Sequence, residues 1–310
     1  PPPTTPTHPP PQPAPPSPPP VCYPLDPSHP SDLDPEELRK RVRHNPAVAG
    51  ILLINPDNPT GAVYPESLLR EVVAIAREYD LFIIADEIYQ NLIFNGHKTK
   101  PLSAVIDEVP GLSMKGISKE LPWPGSRCGW IEVYNVDKDP FFASYVESIV
   151  NAKMVEVCST TLPQQAIPRI FQHPEYPTYI DSRRQRYQEF SKIAYQRLNH
   201  IPGVLVNRTN GAFYMCVVFE DGRLNHGQTL PIANFEVRDL VEKLTSSKNI
   251  QPDKRFVYYL LAAAGICVVP LTSFSTDLQG FRFTLLEQDE DTFRQMIEKL
   301  AMSIINYLES

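Results

Sequence analysis

Cysteine is sparse in this 310-residue chain, and the little there is forms no pattern. Cys22, Cys128, Cys158, Cys216 and Cys267 are odd in number, scattered and without Cys-x-x-Cys spacing. That excludes a disulfide framework and a thiolate zinc site, and it fits a reducing, cytoplasmic compartment. Positive charge is not in excess either: 29 Lys and Arg stand against 36 Asp and Glu, for a net charge of −7. A nucleic-acid backbone is therefore not the expected partner, since its binders carry a basic face. No apolar run approaches the roughly eighteen residues of a membrane-spanning helix. The first residues lack the basic and apolar regions of a secretory signal. The seven histidines fall at no metal-ligand spacing, and the glycines near Lys119 do not have the spacing of a Walker loop. Asn207-Arg-Thr209 matches a glycosylation acceptor by chance, as no secretory signal accompanies it.

What the chain does have is 42% hydrophobic residues, enough at this length for a sizeable core and for two domains. Thirteen of the first twenty residues are proline. Proline fixes φ and removes a backbone donor, so residues 1–30 are expected to form a disordered or polyproline tail. Either it is a ligand for an aromatic-lined partner domain or it is a plain solvated tail. Ordered structure is expected from about Asp32. In Asp34-Pro-Glu-Glu-Leu-Arg-Lys-Arg-Val, a capping aspartate, a first-turn proline and early acids predict a short helix.

Beyond it, short apolar runs at 51–54, 81–85, 112–117 and 130–133 predict strands. Between the first two, residues 65–79 place Leu68, Leu69, Val72, Val73 and Ala76 at helical spacing. Strand-helix-strand alternation means an α/β domain whose sheet is mostly parallel, with flanking helices, over residues 31–200. Residues 140–199 read as helical, the last stretch from about Tyr179 as one long polar helix. Residues 201–310 read as a smaller α+β domain. It is expected to hold strands at 204–207, 212–219, 266–269 and 281–285, helices at 235–246 and 256–264, a terminal helix, and a tight Asn210-Gly211 turn.

Four local features can carry chemistry, and each has a plain structural alternative. Asn55-Pro-Asp-Asn58-Pro-Thr-Gly61 follows the first strand. It is either an ordinary turn or a turn that leaves the Asn58 amide free for a ligand. Asp86 closes an apolar strand, where a carboxylate needs a partner; the partner is either the next backbone turn or a pyridinium N–H. Tyr89 can reach the same side. Lys119 follows the third strand, and Arg127 comes after Pro122, Pro124 and Gly125, which turn the chain. The pair is either two surface cations or an amine for an aldehyde beside a fork for a phosphate. Arg282, between two phenylalanines, either faces water or clamps a substrate carboxylate.

In this order, with Leu162-Pro-Gln-Gln, Gly211-Ala-Phe-Tyr and Val268-Val-Pro, the features resemble the class I/II, fold-type-I aminotransferases. Phe281-Arg-Phe-Thr-Leu-Leu is more similar to the alanine-aminotransferase-like branch. The resemblance runs from about Tyr23 to the C-terminus. It implies that Lys119 holds pyridoxal 5′-phosphate (PLP) as an imine and then moves a proton at the substrate's Cα. It implies further that Asp86 faces the ring nitrogen, that Asn58 and Tyr89 bond the ring oxygen, that Arg127 holds the phosphate and that Arg282 holds the α-carboxylate. The reaction implied is transamination between an amino acid and a 2-oxo acid, in a homodimer. Two departures stand out: Gly116 occupies a position where many relatives have serine, and Pro122-Trp123 replaces the commoner loop sequence. The family also places further strands and helices ahead of the Asn58 turn, so the chain is expected to be N-terminally incomplete, with an exposed sheet edge and poor solubility. The alternatives are a non-catalytic interaction protein, or a PLP-dependent lyase or decarboxylase.

Overall fold

The computed structural model describes residues 33–310 except residue 248. The proline-rich stretch and Cys22 lie outside the described residues.

The first ordered element is α1 (Pro35–Arg43), started as the sequence predicts: Asp34 accepts from the Glu36 N–H, and Pro35 opens the first turn. Then come β1 (Gly50–Ile54), α2 (Glu66–Glu78), β2 (Phe82–Asp86), β3 (Gly111–Gly116) and β4 (Gly129–Tyr134). They form a four-stranded sheet in the order β1-β2-β3-β4, parallel over the first three strands and antiparallel at β4. The apolar side of α2 (Leu68, Leu69, Val72, Val73, Ala76) is buried, together with Ile51, Leu53, Ile83 and Ala85 of the sheet. The parallel arrangement follows from the α2 crossover and sets the carboxyl ends of β1, β2 and β3 side by side.

Three helices follow: α3 (Pro140–Met154), α4 (Thr161–Phe171) and the long α5 (Tyr176–Leu198). The second sheet contains β5 (Val204–Val206), β6 (Tyr214–Phe219), β7 (Val269–Pro270) and β8 (Gly280–Thr284), in the order β5-β6-β8-β7 and antiparallel throughout. It packs with α6 (Phe235–Thr245), α7 (Pro252–Ala264) and α8 (Glu290–Leu308). All six residues of β6 are buried, as expected of a central strand with covered faces. The α5–α8 contact is fixed by Phe190 stacking on Phe293 at 4.2 Å between ring centroids. The strands coincide with the apolar runs and the helices with the helical spacing of the sequence. The exception is the strand expected at 266–269, which shrinks to Val269–Pro270.

The Asn210-Gly211 turn also departs from expectation. It is not a tight two-residue hairpin: β5 and β6 pair only from Val206 and Val217 outward, and the positive φ falls on Ala212. The intervening loop is held from the loop after β1, because Asn210 and Gly211 both donate their N–H to the Gly61 carbonyl, at 3.0 and 2.9 Å. A Cβ on Gly211 would come within 2.6 Å of Val63 and 2.7 Å of Pro56, so this glycine permits close approach of two loops. Asn207 is buried there, its amide donating to the Thr60 carbonyl, which leaves no acceptor for a glycan.

Candidate active site

The site forms where the carboxyl ends of β2 and β3 meet β6 and β8. Asp86 is the last residue of β2, and one carboxylate oxygen accepts from the Ile88 N–H at 3.1 Å. Burial pushes its pKa above the usual carboxylate range, opposed by that N–H and by the charge of Lys119. Lys119 lies in the bend after β3 and is half-buried. Its Nζ stands 6.0 Å from the ring centre of Tyr89 and 5.9 Å from that of Phe213. Tyr89 is buried, and its hydroxyl lies 2.9 Å from that of Tyr214. Burial first, and then the Tyr214 hydrogen bond, raises the Tyr89 pKa far above a free phenol's, so Tyr89 keeps its proton.

On the facing sheet, Arg282 of β8 donates from Nη1 to Asn58 Oδ1 at 2.7 Å. Its guanidinium lies 4.4 Å from the Tyr214 ring centre and 5.0 Å from that of Phe274. Its Nε is buried without a hydrogen-bond partner. Asn58 therefore spends its carbonyl on Arg282 and keeps its amide N–H groups. Five of the six residues nominated from the sequence thus fall into one connected set: Lys119, Asp86 and Tyr89 on one side, Asn58 and Arg282 on the other, bridged by Tyr214. Arg127 is placed differently. It is exposed, sits at φ +50° after the short turn Pro124–Ser126, and donates to the Pro124 carbonyl at 3.1 Å.

Sequence reasoning missed what holds the lysine loop. Arg183, buried on α5, donates to the carbonyls of Lys119, at 3.0 Å, and of Glu120, and to the Tyr187 hydroxyl. The Glu120 carboxylate accepts from both the backbone and the side-chain nitrogen of Asn91, at 2.6 and 2.9 Å. Nothing in the local pattern marks Arg183, which reads as one more cation on a polar helix. Tyr214 was visible only as the last residue of Gly211-Ala-Phe-Tyr. A cavity of about 690 Å³ opens against the same loop, between Leu121 and Trp123 and facing residues of α4 and α5 such as Ala166 and Tyr179. None of the six nominated residues lines it.

These groups match the edge of a PLP ring in chemical type. The second oxygen of a half-buried acid suits a ring N–H, a protonated phenol and a free amide suit a ring oxygen, and an amine suits an aldehyde. The orphaned Arg282 Nε suits one oxygen of a carboxylate. Comparison with known proteins decides the family. The family model described as aminotransferase class I and II matches residues 18–300. The chain belongs to the class I and II aminotransferases. It is 54% identical to an uncharacterized aminotransferase of Methanocaldococcus jannaschii, over all of this chain and 71% of that one. It is 29% identical to a glutamate-pyruvate aminotransferase of Escherichia coli, over 71% of this chain and 54% of that one. Among solved structures, an aminotransferase from Escherichia coli aligns with a TM-score of 0.73 at 26% identity, over 88% of this chain and 61% of that one. Alanine aminotransferase from Pyrococcus furiosus aligns at 0.70 and 26%, over 87% and 61%. The α/β architecture expected from the sequence is thus that of the aminotransferase fold, and this chain spans about three fifths of those structures.

Proposed function

We propose that this aminotransferase chain carries a PLP site for transamination between an amino acid and a 2-oxo acid, with Lys119 as its reactive amine. The observation that carries the reading is the convergence of an acid and a phenol from the end of β2 with an amine from the end of β3, beside an arginine with an unused buried N–H. Bound PLP would supply an electron sink for the pair left at the substrate's Cα when its proton departs.

The chain's own residues account for the rest. Lys119, beside the rings of Tyr89 and Phe213, would take a proton from Cα and return it to the carbon on the far side of the amino nitrogen, as base and then acid. The free oxygen of Asp86 would hold a ring N–H, and the Lys119 charge favours its ionised form. Tyr89 and the Asn58 amide would donate to the ring oxygen. Arg282 would grip the substrate's α-carboxylate through its open Nε edge, and Arg127 would have to turn in from its exposed position to take the phosphate. The Escherichia coli relative is named a glutamate-pyruvate aminotransferase and the Pyrococcus structure an alanine aminotransferase, which supports alanine or glutamate as the amino acid exchanged.

A second copy of the chain fits the exposed apolar run of α3 and the α3–α4 loop, where Met154, Val155 and Val157 are 77%, 81% and 93% exposed. The described cysteines are unpaired, which fits a cytoplasmic protein. No helix among the described residues is long and apolar enough to cross a membrane.

The test is to add PLP, record its visible absorbance and repeat with Lys119→Ala. A lysine-dependent band that fades on adding an amino acid, with 2-oxo acid appearing, supports transamination. Release of ammonia or carbon dioxide with the band restored supports a lyase or decarboxylase. The absence of any lysine-dependent band supports the non-catalytic reading, which the solvent-facing position of Arg127 favours.

A further inference from the structure

Tyr214 opens β6 and is 5% exposed, yet two groups of the site depend on it in different ways. Its hydroxyl reaches the Tyr89 hydroxyl at 2.9 Å, with the two rings edge to face at 5.6 Å. Its ring face lies under the Arg282 guanidinium at 4.4 Å. The β6–β8 register explains the second contact. Tyr214 pairs with Thr284, so Arg282 lies two residues along the neighbouring strand, on the same face and within diagonal reach. The first contact spans the two sheets, since Tyr89 follows β2. No other residue contacts both the phenol and the guanidinium in the described hydrogen bonds and ring contacts.

We propose that Tyr214 is a positioning residue that couples the two ends of the site, aiming the Tyr89 phenol with its hydroxyl and supporting Arg282 with its ring. The inference rests on the PLP reading above for the first effect and is independent of it for the second. When Tyr214 donates to the Tyr89 oxygen, it polarises Tyr89 and makes it a stronger donor to whatever its own proton faces. A stronger donor favours the anionic form of a ring oxygen. The aromatic face under Arg282 holds the guanidinium flat and leaves its Nε edge open to a carboxylate, a cation–π contact of about 0.5–2 kcal/mol.

Two substitutions separate the roles. Tyr214→Phe keeps the ring and removes the hydroxyl, while Tyr214→Leu removes both. In the PLP-loaded protein, the pH midpoint of the Lys119-dependent visible band should rise in Tyr214→Phe by a few tenths of a unit to about one unit, because Tyr89 donates less strongly. In cofactor-free protein, calorimetric titration with propionate, a carboxylate without an amine, should show Tyr214→Phe within about twofold of the parent. Tyr214→Leu should bind roughly twofold to thirtyfold more weakly, the cation–π range expressed as affinity. Circular dichroism confirms that each variant is folded. An unchanged midpoint in Tyr214→Phe overturns the hydroxyl's role, and unchanged propionate affinity in Tyr214→Leu overturns the ring's. If the parent shows no Lys119-dependent band at all, the PLP reading fails and the hydroxyl's role fails with it. The propionate titration still decides the role of the ring.

Discussion

Arg183 is where the long helix grips the lysine loop, and removing it should be costly in a way its sequence context does not suggest. Arg183→Met keeps the aliphatic stem but deletes donors to the Lys119 and Glu120 carbonyls and to the Tyr187 hydroxyl. The Lys119 carbonyl belongs to a half-buried residue, where water can replace the lost donor. Glu120 and Tyr187 are buried, the latter completely, so their oxygens would be left unsatisfied. At about 1–3 kcal/mol for each of these two groups, the variant should lose roughly 2–6 kcal/mol. Arg183→Lys restores one donor and should lose about half as much. By contrast, Arg197→Met breaks a solvent-accessible pair with Glu298 and a weak contact to the Met302 sulfur, and should cost about 0.2–1 kcal/mol. Urea unfolding read by circular dichroism gives the global loss. Tryptophan emission reads the loop itself, since the chain's two tryptophans are Trp123 in that loop and Trp130 on the strand after it. Hydrogen exchange of residues 117–127 should quicken at least tenfold. A loss below about 0.5 kcal/mol, or unaltered tryptophan emission in the folded variant, would refute the view that this arginine holds the loop.

Three further outcomes follow from the same geometry. Asp86→Asn should leave the fold at least as stable near neutral pH, because burial already disfavours the ionised form, yet it should abolish amino-acid-dependent bleaching of bound PLP. Thermal melts and absorbance traces on one preparation check both halves, and a large drop in melting temperature would make the acid structural instead. The Glu87 carboxyl is raised by burial, opposed by the Leu102 N–H and by Lys115. The folded chain thus holds that proton to higher pH than the unfolded chain, and its contribution to stability declines as pH rises from the ordinary carboxylate range through the raised value. Glu87→Gln should accordingly flatten the pH dependence of urea midpoints and raise them near pH 7, with Glu132 keeping Lys115 at 3.0 Å. A steeper dependence would contradict this. Gly211→Ala should cost about 1–3 kcal/mol by pushing against Pro56 and Val63, and should weaken propionate binding at Arg282 by displacing the Asn58 loop. Denaturation and calorimetry together check it.

The frame of the molecule was readable because its signals are local. Strands β1 to β3 are short apolar runs bounded by turn residues, and α2 shows its buried face at helical spacing. The α1 boundary follows from one aspartate and one proline. One exception has a visible cause. The Asn210-Gly211 dipeptide has the composition of a tight hairpin turn, but its conformation is dictated by the Gly61 carbonyl across the molecule, a contact that no local window contains.

The same distinction divides the candidate site. Asp86, Lys119 and Asn58 could be nominated because each ends or follows a strand, and parallel topology brings such positions together. Arg282 could be nominated because a charge between two phenylalanines asks for a partner, and Asn58 supplies one. The residues that set the geometry of these groups gave no such signal. Arg183 acts through two carbonyls, which carry no side-chain identity in sequence, and Tyr214 acts through a hydroxyl and a ring face that any buried tyrosine possesses. Groups that do chemistry can be found by their type and position, whereas groups that aim them become visible only once the chain is folded. Substitutions at Tyr214 and Arg183 are therefore the more searching tests: they alter no group assigned to the reaction, and the reading requires that they change it.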